Sequence, residues 1–403
     1  MKKKILFVQE SLRLAGSEKS MVSLLKNLDS EKYQIDIQLM HYGGELEQQI
    51  PSWIRFLPPL EYKNKAAKSL IRSIMSVRSG SDVRYLKARL TYSLALRKKR
   101  YSHSRKAQLF WKSFRGIMSD CATKYDVAIG FAQGFPTFYV ADMVTAERKL
   151  CWVNANMVLD NKSRDFYEMY YHRFDKVVCI TPKTKEVIGK QIPSLTNLTV
   201  MENIIDMQNI VVAANIKNVN FNTNVVNILT VGRLNNGSKG MDIAISAAKH
   251  LKDKNVDFHW YFLGEGDFRK EMETYITANK LVDNVTLLGT DSNPYPYFKA
   301  ADIYVQTSRN EGFGRTIAEA RLLNIPVVTT RFDSVAQQMI HEKNGLVTDM
   351  NPQAVADGIE RMITDKELYN SVVEYLKQEP KENTETVKKF DEMIEELLNT
   401  VES

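Results

Sequence analysis

Short apolar runs separated by helix-periodic stretches recur along this chain. Lys4–Val8 reads as a buried strand, followed by a polar loop containing Gly16 and a helix over Glu18–Leu28. Tyr33–Met40 alternates as a second strand, and Asp126–Phe131, Lys149–Val153 and Lys176–Ile180 read as three more. Strands alternating with helices predict βαβ units and a parallel sheet. The pattern restarts after the Asn-rich stretch Asn215–Thr223, the expected linker. Strands are then predicted at Val225–Val231, Phe258–Leu263, Val285–Leu288, Ile303–Gln306 and Val327–Thr330, with helices at Met241–Leu251, Phe268–Asn279 and Arg315–Leu323. No sequence repeat accompanies the restart, so the duplication is one of architecture alone.

Helical stretches run from Pro352 to about Leu376, and a polar break holds Pro380. Thr384–Val401 then carries one apolar stripe of Val387, Phe390, Met393, Ile394, Leu397 and Leu398. The expected fold is α/β, with two Rossmann-like domains facing a central cleft and a C-terminal helix returning toward the first. The domains are expected at 1–214 and 215–376, with 377–403 docking across both. Open α/β sheets bind ligands beyond the carboxyl ends of their strands, so chemistry is expected in that cleft.

A length of 403 residues, 44% hydrophobic and 26% charged, fits two folded domains and excludes a disordered or fibrous chain. Cys121, Cys151 and Cys179 are far apart with no C-x-x-C pair, which argues against a disulfide framework or a structural zinc and for a reducing compartment. The apolar run Ile5–Val8 after the N-terminal lysines is too short for a secretory signal, and no run is long enough to span a bilayer. Any membrane contact is expected to be peripheral.

Charge changes the picture in one place. The net charge is +7, yet residues 62–115 hold eight Lys and eight Arg against one acid, Asp82, so this segment carries +15 and the rest of the chain −8. Leu70, Ile71, Ile74 and Met75, then Leu86, Leu90 and Leu94, recur at helical spacing, punctuated by Arg97-Lys98-Lys99-Arg100 and Arg105-Lys106. Amphipathic basic helices are expected, and an anionic membrane surface is the preferred partner over an ordinary solvated face. Nucleic acid is disfavoured, because no helix-turn-helix, zinc-finger or RNP pattern accompanies the charge.

Two loops carry candidate chemistry. Gly232-Arg233-Leu234-Asn235-Asn236-Gly237-Ser238-Lys239-Gly240 lies between a strand and a helix, where glycines let backbone approach a ligand and two cations reach a diphosphate. Ser308-Arg309-Asn310-Glu311-Gly312-Phe313-Gly314-Arg315 lies in an equivalent position, and Glu319 follows eight residues after Glu311 inside the next helix. Two carboxylates so placed suit a ligand with hydroxyls at two points. A plain structural alternative pairs Glu319 with Arg315 one turn earlier.

These residues resemble a known family. Gly232-Arg233…Lys239-Gly240, Leu263-Gly264-Glu265-Gly266, Val285-Thr286-Leu287-Leu288-Gly289, Glu311-Gly312-Phe313-Gly314…Glu319-Ala320 and Ile325-Pro326-Val327-Val328 are similar, in order and spacing, to the nucleotide-sugar domain of family 4 retaining glycosyltransferases with the GT-B fold. Ala15-Gly16-Ser17-Glu18 resembles the family's N-terminal glycine loop, and Asn203-Ile204-Ile205-Asp206 the segment before its interdomain linker.

The resemblance implies that Arg233 and Lys239 bind the donor diphosphate, Glu311 contacts the donor sugar and Glu319 takes the ribose hydroxyls. Gly16, Gly232, Gly312, Phe313 and Gly314 would line the donor. It further implies a bacterial enzyme of surface-polysaccharide or capsule synthesis, acting with a UDP-sugar on a lipid-linked or glycan acceptor at the inner face of the cytoplasmic membrane. Cations placed against a leaving diphosphate stabilise its developing charge. No metal and no cofactor are expected, and the chain contains no Asp-x-Asp pair.

Three departures stand out. Asn154 and Asn156 follow the strand where many relatives carry a His, so these amides are expected to contact acceptor or sugar by hydrogen bonding only. Asn324 replaces a common Gly before the Pro-Val-Val strand, a position where Asn tolerates the left-handed cap. Phe332-Asp333-Ser334-Val335 lacks the family's paired glycines. Gly264-Glu265-Gly266 is an incomplete dinucleotide fingerprint, since Arg269 takes the third glycine's place, and the six histidines show no metal spacing. The helix-spaced aromatics Phe166, Tyr167, Tyr170, Tyr171 and Phe174 are expected in a core. The alternatives kept open are a nucleotide-sugar epimerase of the same fold and a basic nucleic-acid-binding protein.

Overall fold

The computed structural model describes residues 2–60, 80–97, 101–155, 157, 159–381 and 385–399. The chain forms two compact units, Met1–Ile204 with Thr384–Ser403, and Ile205–Asn383.

The first unit contains β1 (Lys3–Gln9), α1 (Gly16–Asn27), β2 (Tyr33–Leu39), β3 (Arg55–Phe56), α2 (Gly80–Arg97), α3 (His103–Phe114), β4 (Tyr125–Gly130) and α4 (Phe135–Met143). It continues through β5 (Ala146–Val153), α5 (Asn161–Tyr171), β6 (Lys176–Cys179), α6 (Pro182–Gln191) and β7 (Leu198–Val200). All strands are parallel, in the order β3-β2-β1-β4-β5-β6-β7. The direction of winding reverses between β1 and β4, which opens a crevice at their carboxyl ends. Apolar runs such as Ile5–Val8 are buried throughout, as a sheet covered on both faces requires. Phe166, Tyr167, Tyr170, Tyr171 and Phe174 lie in the core, as their spacing predicts.

The second unit contains α7 (Met207–Ala214), β8 (Val226–Val231), α8 (Met241–Asp253), β9 (Phe258–Leu263), α9 (Arg269–Ala278), β10 (Val285–Gly289), α10 (Tyr295–Ala300) and β11 (Ile303–Gln306). It continues through α11 (Arg315–Leu322), β12 (Val327–Thr330), β13 (Gly345–Thr348), α12 (Pro352–Thr364) and α13 (Lys366–Gln378). Its sheet runs β10-β9-β8-β11-β12-β13, again wholly parallel, with the reversal between β8 and β11. Asn351 and Asp365 cap α12 and α13 through their side chains.

The division falls at Ile204/Ile205, ahead of the expected linker. Helix α7 belongs with the second unit because Asn293 Nδ2 donates to Ala213 O at 2.7 Å, satisfying one C-terminal carbonyl of α7. The last helix, α14 (Glu385–Asn399), belongs to the first unit. Phe390 stacks near Phe7 and meets Tyr33 edge-on. Tyr33 OH donates to Asp391 at 2.8 Å, and Arg148 Nε donates to Leu397 O at 2.8 Å at the helix C-terminus.

The basic segment requires a correction. Leu70, Ile71, Ile74, Met75 and Lys98–Arg100 lie outside the described residues. Helix α2 is not amphipathic in the expected sense, because its core contacts come from Tyr85, Ala88 and Tyr92 while Leu90 and Leu94 face outward. The helix thus has two apolar faces rather than one, and Leu90 and Leu94, which spacing singles out, lie on the exposed one. In α3 and just beyond it the charge is partly structural: Lys112 lies over the Phe166 ring, and Arg115 Nε, at the helix C-cap, binds Asp142 at 2.8 Å.

Candidate active site

The second unit places its two candidate loops side by side at the reversal point of the sheet. The loop after β8 is held against the loop after β11 by main-chain and side-chain bonds. Arg309 N donates to Ser238 O at 2.8 Å, Thr307 Oγ1 donates to Gly240 O at 2.9 Å, and Arg309 forks onto both oxygens of Asp242 at 2.7 Å. Gly240 has φ 61°, and a Cβ there would sit 2.2 Å from Thr307 O, so only glycine permits this closeness. The same reason explains Gly264, where a Cβ would meet Gly232 O at 1.9 Å. The Gly-x-Gly after β9 thus serves loop packing.

Three donors converge on one oxygen of Glu311. Lys239 Nζ lies 2.6 Å from Oε1, Ser308 Oγ 2.7 Å and Gln306 Nε2 3.2 Å. Ser334 Oγ donates to Glu311 O at 2.9 Å, so the departure at Phe332–Val335 supplies a tether for the candidate loop. Ser308 opens the candidate loop and Ser334 lies in the departing segment, but neither they nor Gln306 had a role expected from the sequence. Arg233 is exposed in the first loop. Gly232, Gly312 and Phe313 are part-exposed, and Gly314 (φ 76°, ψ 47°) begins α11 without a side-chain cap. The amides at the start of α11 carry the positive end of its dipole toward the loop.

Glu319 is 0% exposed and pairs with Arg315 Nε at 3.0 Å, while Tyr295 OH donates to it at 3.1 Å. This is the pairing that the structural alternative describes. Asn324 adopts φ 61° after α11, the left-handed cap expected of it.

The first unit places its candidates at the carboxyl ends of β1, β4 and β5. Gly16 opens α1, whose N-cap Ala15 makes no side-chain cap. Asn154 is spent on architecture: its Nδ2 donates to Phe131 O at 2.6 Å and its N donates to Gln133 Oε1 at 2.9 Å. Its Oδ1 is buried with no partner among the described residues. Asn156 lies outside the described residues. Glu10, at the end of β1, was missed by sequence reading. Burial, with Glu18 nearby, pushes its carboxyl above the usual range. Among the described residues no group of three or more His, Cys, Asp or Glu is placed to hold a metal ion.

Residues 212–379 match the family described as Glycosyl transferases group 1. That segment belongs to the group 1 glycosyltransferases. The glycosyltransferase segment contains both candidate loops and all of the Lys239–Glu311 cluster. An uncharacterized glycosyltransferase of Methanocaldococcus jannaschii is 28% identical over 171 residues, 41% of each chain. The Campylobacter jejuni N-acetylgalactosamine-N,N'-diacetylbacillosaminyl-diphospho-undecaprenol 4-alpha-N-acetylgalactosaminyltransferase is 32% identical over 143 residues, 35% of this chain and 38% of that one. The alignments with the first two such relatives span 41% and 58% of their lengths, about half. Over the whole chain the fold matches the crystal structure of Anabaena HepE in complex with UDP and glucose, with TM-score 0.67, 18% identity and coverage of 98% of this chain and 99% of that one. The likeness shows the shared two-domain GT-B fold.

Proposed function

We propose that the protein is a retaining, metal-independent glycosyltransferase that moves a hexosyl group from a UDP-sugar to a lipid-linked or glycan acceptor in surface polysaccharide synthesis. The observation that carries this reading is the Lys239–Glu311 cluster, held between the loops after β8 and β11, with Arg233 exposed in the same loop as Lys239. Arg233 and Lys239 supply the positive charge that a departing UDP requires, and the α11 N-terminus adds its dipole. With Oε1 of Glu311 taken by three donors, Oε2 is the atom for a donor-sugar hydroxyl. Glu319 takes the ribose by exchanging the Tyr295 hydroxyl or the Arg315 contact for a ribose hydroxyl. HepE, crystallised with UDP, supports the donor assignment, and the Campylobacter relative's diphospho-undecaprenol acceptor supports the lipid-linked one. The reaction then takes place at the inner face of the cytoplasmic membrane.

The test is a panel of UDP-sugars incubated with and without polyprenyl-diphosphate-linked saccharides, with products followed by NMR. Acceptor-dependent release of UDP and a glycoside of the donor's own anomeric configuration is expected. An inverted glycoside refutes retention, and acceptor-independent interconversion of UDP-sugars would assign the fold to epimerisation instead.

A further inference from the structure

Gln306, the last residue of β11, is a buried amide at the foot of the Glu311 loop, only 3% exposed. Side chains alternate along an extended chain, so Thr307 turns onto Gly240 O while Gln306 and Ser308 both face Glu311. A buried amide is costly unless both of its ends are paired. Here both are. Oε1 accepts from Tyr304 OH at 3.0 Å and from Thr316 Oγ1, in the first turn of α11, at 2.6 Å; Nε2 donates to Glu311 Oε1 at 3.2 Å. The amide fits only this way round. Turned over, it would set its carbonyl oxygen against the carboxylate oxygen of Glu311, two acceptors facing each other. Thr329 Oγ1 fixes the backbone beneath, donating to Gln306 O at 2.9 Å.

We propose that Gln306 is a positioning residue for sugar transfer: held by Tyr304 and Thr316, its amide fixes Oε1 of Glu311 and so turns Oε2 toward the donor sugar. This rests on the donor-sugar role of Glu311 argued above. Of the three groups that donate to Oε1, Lys239 has a second task at the diphosphate, so its hold on Glu311 weakens once donor is bound. Ser308 and Gln306 remain, and Ser308 belongs to the loop itself. Gln306 alone of the three ties the carboxylate to both β11 and α11. A carboxylate with one oxygen fixed presents the other in a single direction, and a misplacement of about 1 Å costs on the order of 100-fold in rate. Gln306 therefore acts through Glu311, on turnover rather than on nucleotide binding.

The test is a double-mutant cycle on the full chain, measuring turnover of a radiolabelled UDP-sugar, UDP affinity and melting temperature for each variant. Gln306→Met keeps the length of the side chain and removes both polar ends. It should lower kcat at least about tenfold, with UDP affinity within about twofold of the parent. Thr316→Val, at a part-exposed position, removes one of the two hydroxyls that orient the amide and should lower kcat about threefold at unchanged melting temperature. In a Glu311→Ala background both losses should shrink to within about twofold, since nothing is left to position; independent structural roles would multiply instead. Parental kcat in Gln306→Met, losses that multiply with that of Glu311→Ala, or a loss of UDP affinity as large as the loss of kcat overturns the inference while the parent still transfers sugar. If Gln306→Met does not fold, the Thr316→Val cycle decides by the same criteria. A parent that binds UDP but transfers no sugar overturns the proposed function, and this inference with it.

Discussion

Lys239 and Glu311 neutralise each other at 2.6 Å, so their mutations have opposite electrostatic consequences for a diphosphate. Lys239→Ala removes a cation and also leaves the Glu311 carboxylate facing the ligand. Arg233→Ala removes an exposed cation that pairs with no anion among the described residues. A charge-assisted hydrogen bond contributes about 1.5–3 kcal/mol, so both substitutions should weaken UDP binding, Lys239→Ala more than Arg233→Ala. Isothermal titration with UDP checks the order, and equal affinities for parent and both variants would remove these residues from the donor site. Glu311→Gln should leave UDP affinity unchanged or higher while lowering kcat with the UDP-sugar. Glu319→Gln breaks a buried pair with Arg315 and should cost on the order of 3 kcal/mol of stability. It should also weaken UDP binding; a lower melting temperature with unchanged UDP affinity would leave Glu319 a purely architectural residue.

Elements are held in place by a few polar anchors whose loss should be felt at a distance. Asp142 on α4 joins three helices, accepting from Trp111 Nε1 of α3 at 2.9 Å and Tyr170 OH of α5 at 2.6 Å, with Arg115 and Arg173 beside it. Burial raises its carboxyl, but Tyr170, Arg173 and Trp111 outweigh that and hold it below the usual carboxylate range. A depressed folded-state value means stability is present above the unfolded value, near pH ~4, and lost as pH falls through the lower folded one. Thermal melts of the parent should therefore show an acid-side loss below about pH 4 that is smaller in Asp142→Asn. Melts of the two proteins that run parallel down to about pH 2 would count against this anchor. Gly240 plays the corresponding part in the second unit. Gly240→Ala places a Cβ against Thr307 O in a left-handed conformation, costing at least about 1 kcal/mol and displacing the loop that carries Lys239. UDP binding should fall with it.

At the scale of the whole chain, transfer in excess EDTA is the expected behaviour, with side-chain cations taking the part of a divalent ion. Activity lost in EDTA and restored by magnesium or manganese would replace that mechanism. The chain makes two doubly wound units, and this much was legible in the amino-acid sequence. Strands buried on both faces leave continuous apolar runs, such as Ile5–Val8, and α14 shows its docking face because Phe390, Ile394 and Leu397 repeat at helical spacing. The glycines at 240 and 264 mark where loops close, since a Cβ at either would run into a carbonyl oxygen of the facing loop. What periodicity could not decide is which of several satisfactory partners a side chain takes. Helix α2 offers two apolar faces, and only the aromatic rings of α3 determine that Tyr85, Ala88 and Tyr92 turn inward. Strand β13 opens on Gly345 and holds only Leu346 and Val347 as apolar residues, too little to announce itself before β12 is beside it. Asn154 reads as a ligand contact until Phe131 O and Gln133 occupy its donors, and Glu319 reads equally as a ribose contact or an Arg315 partner. Local sequence sets which side chains share a face, whereas the partner each one meets depends on residues brought alongside from far along the chain.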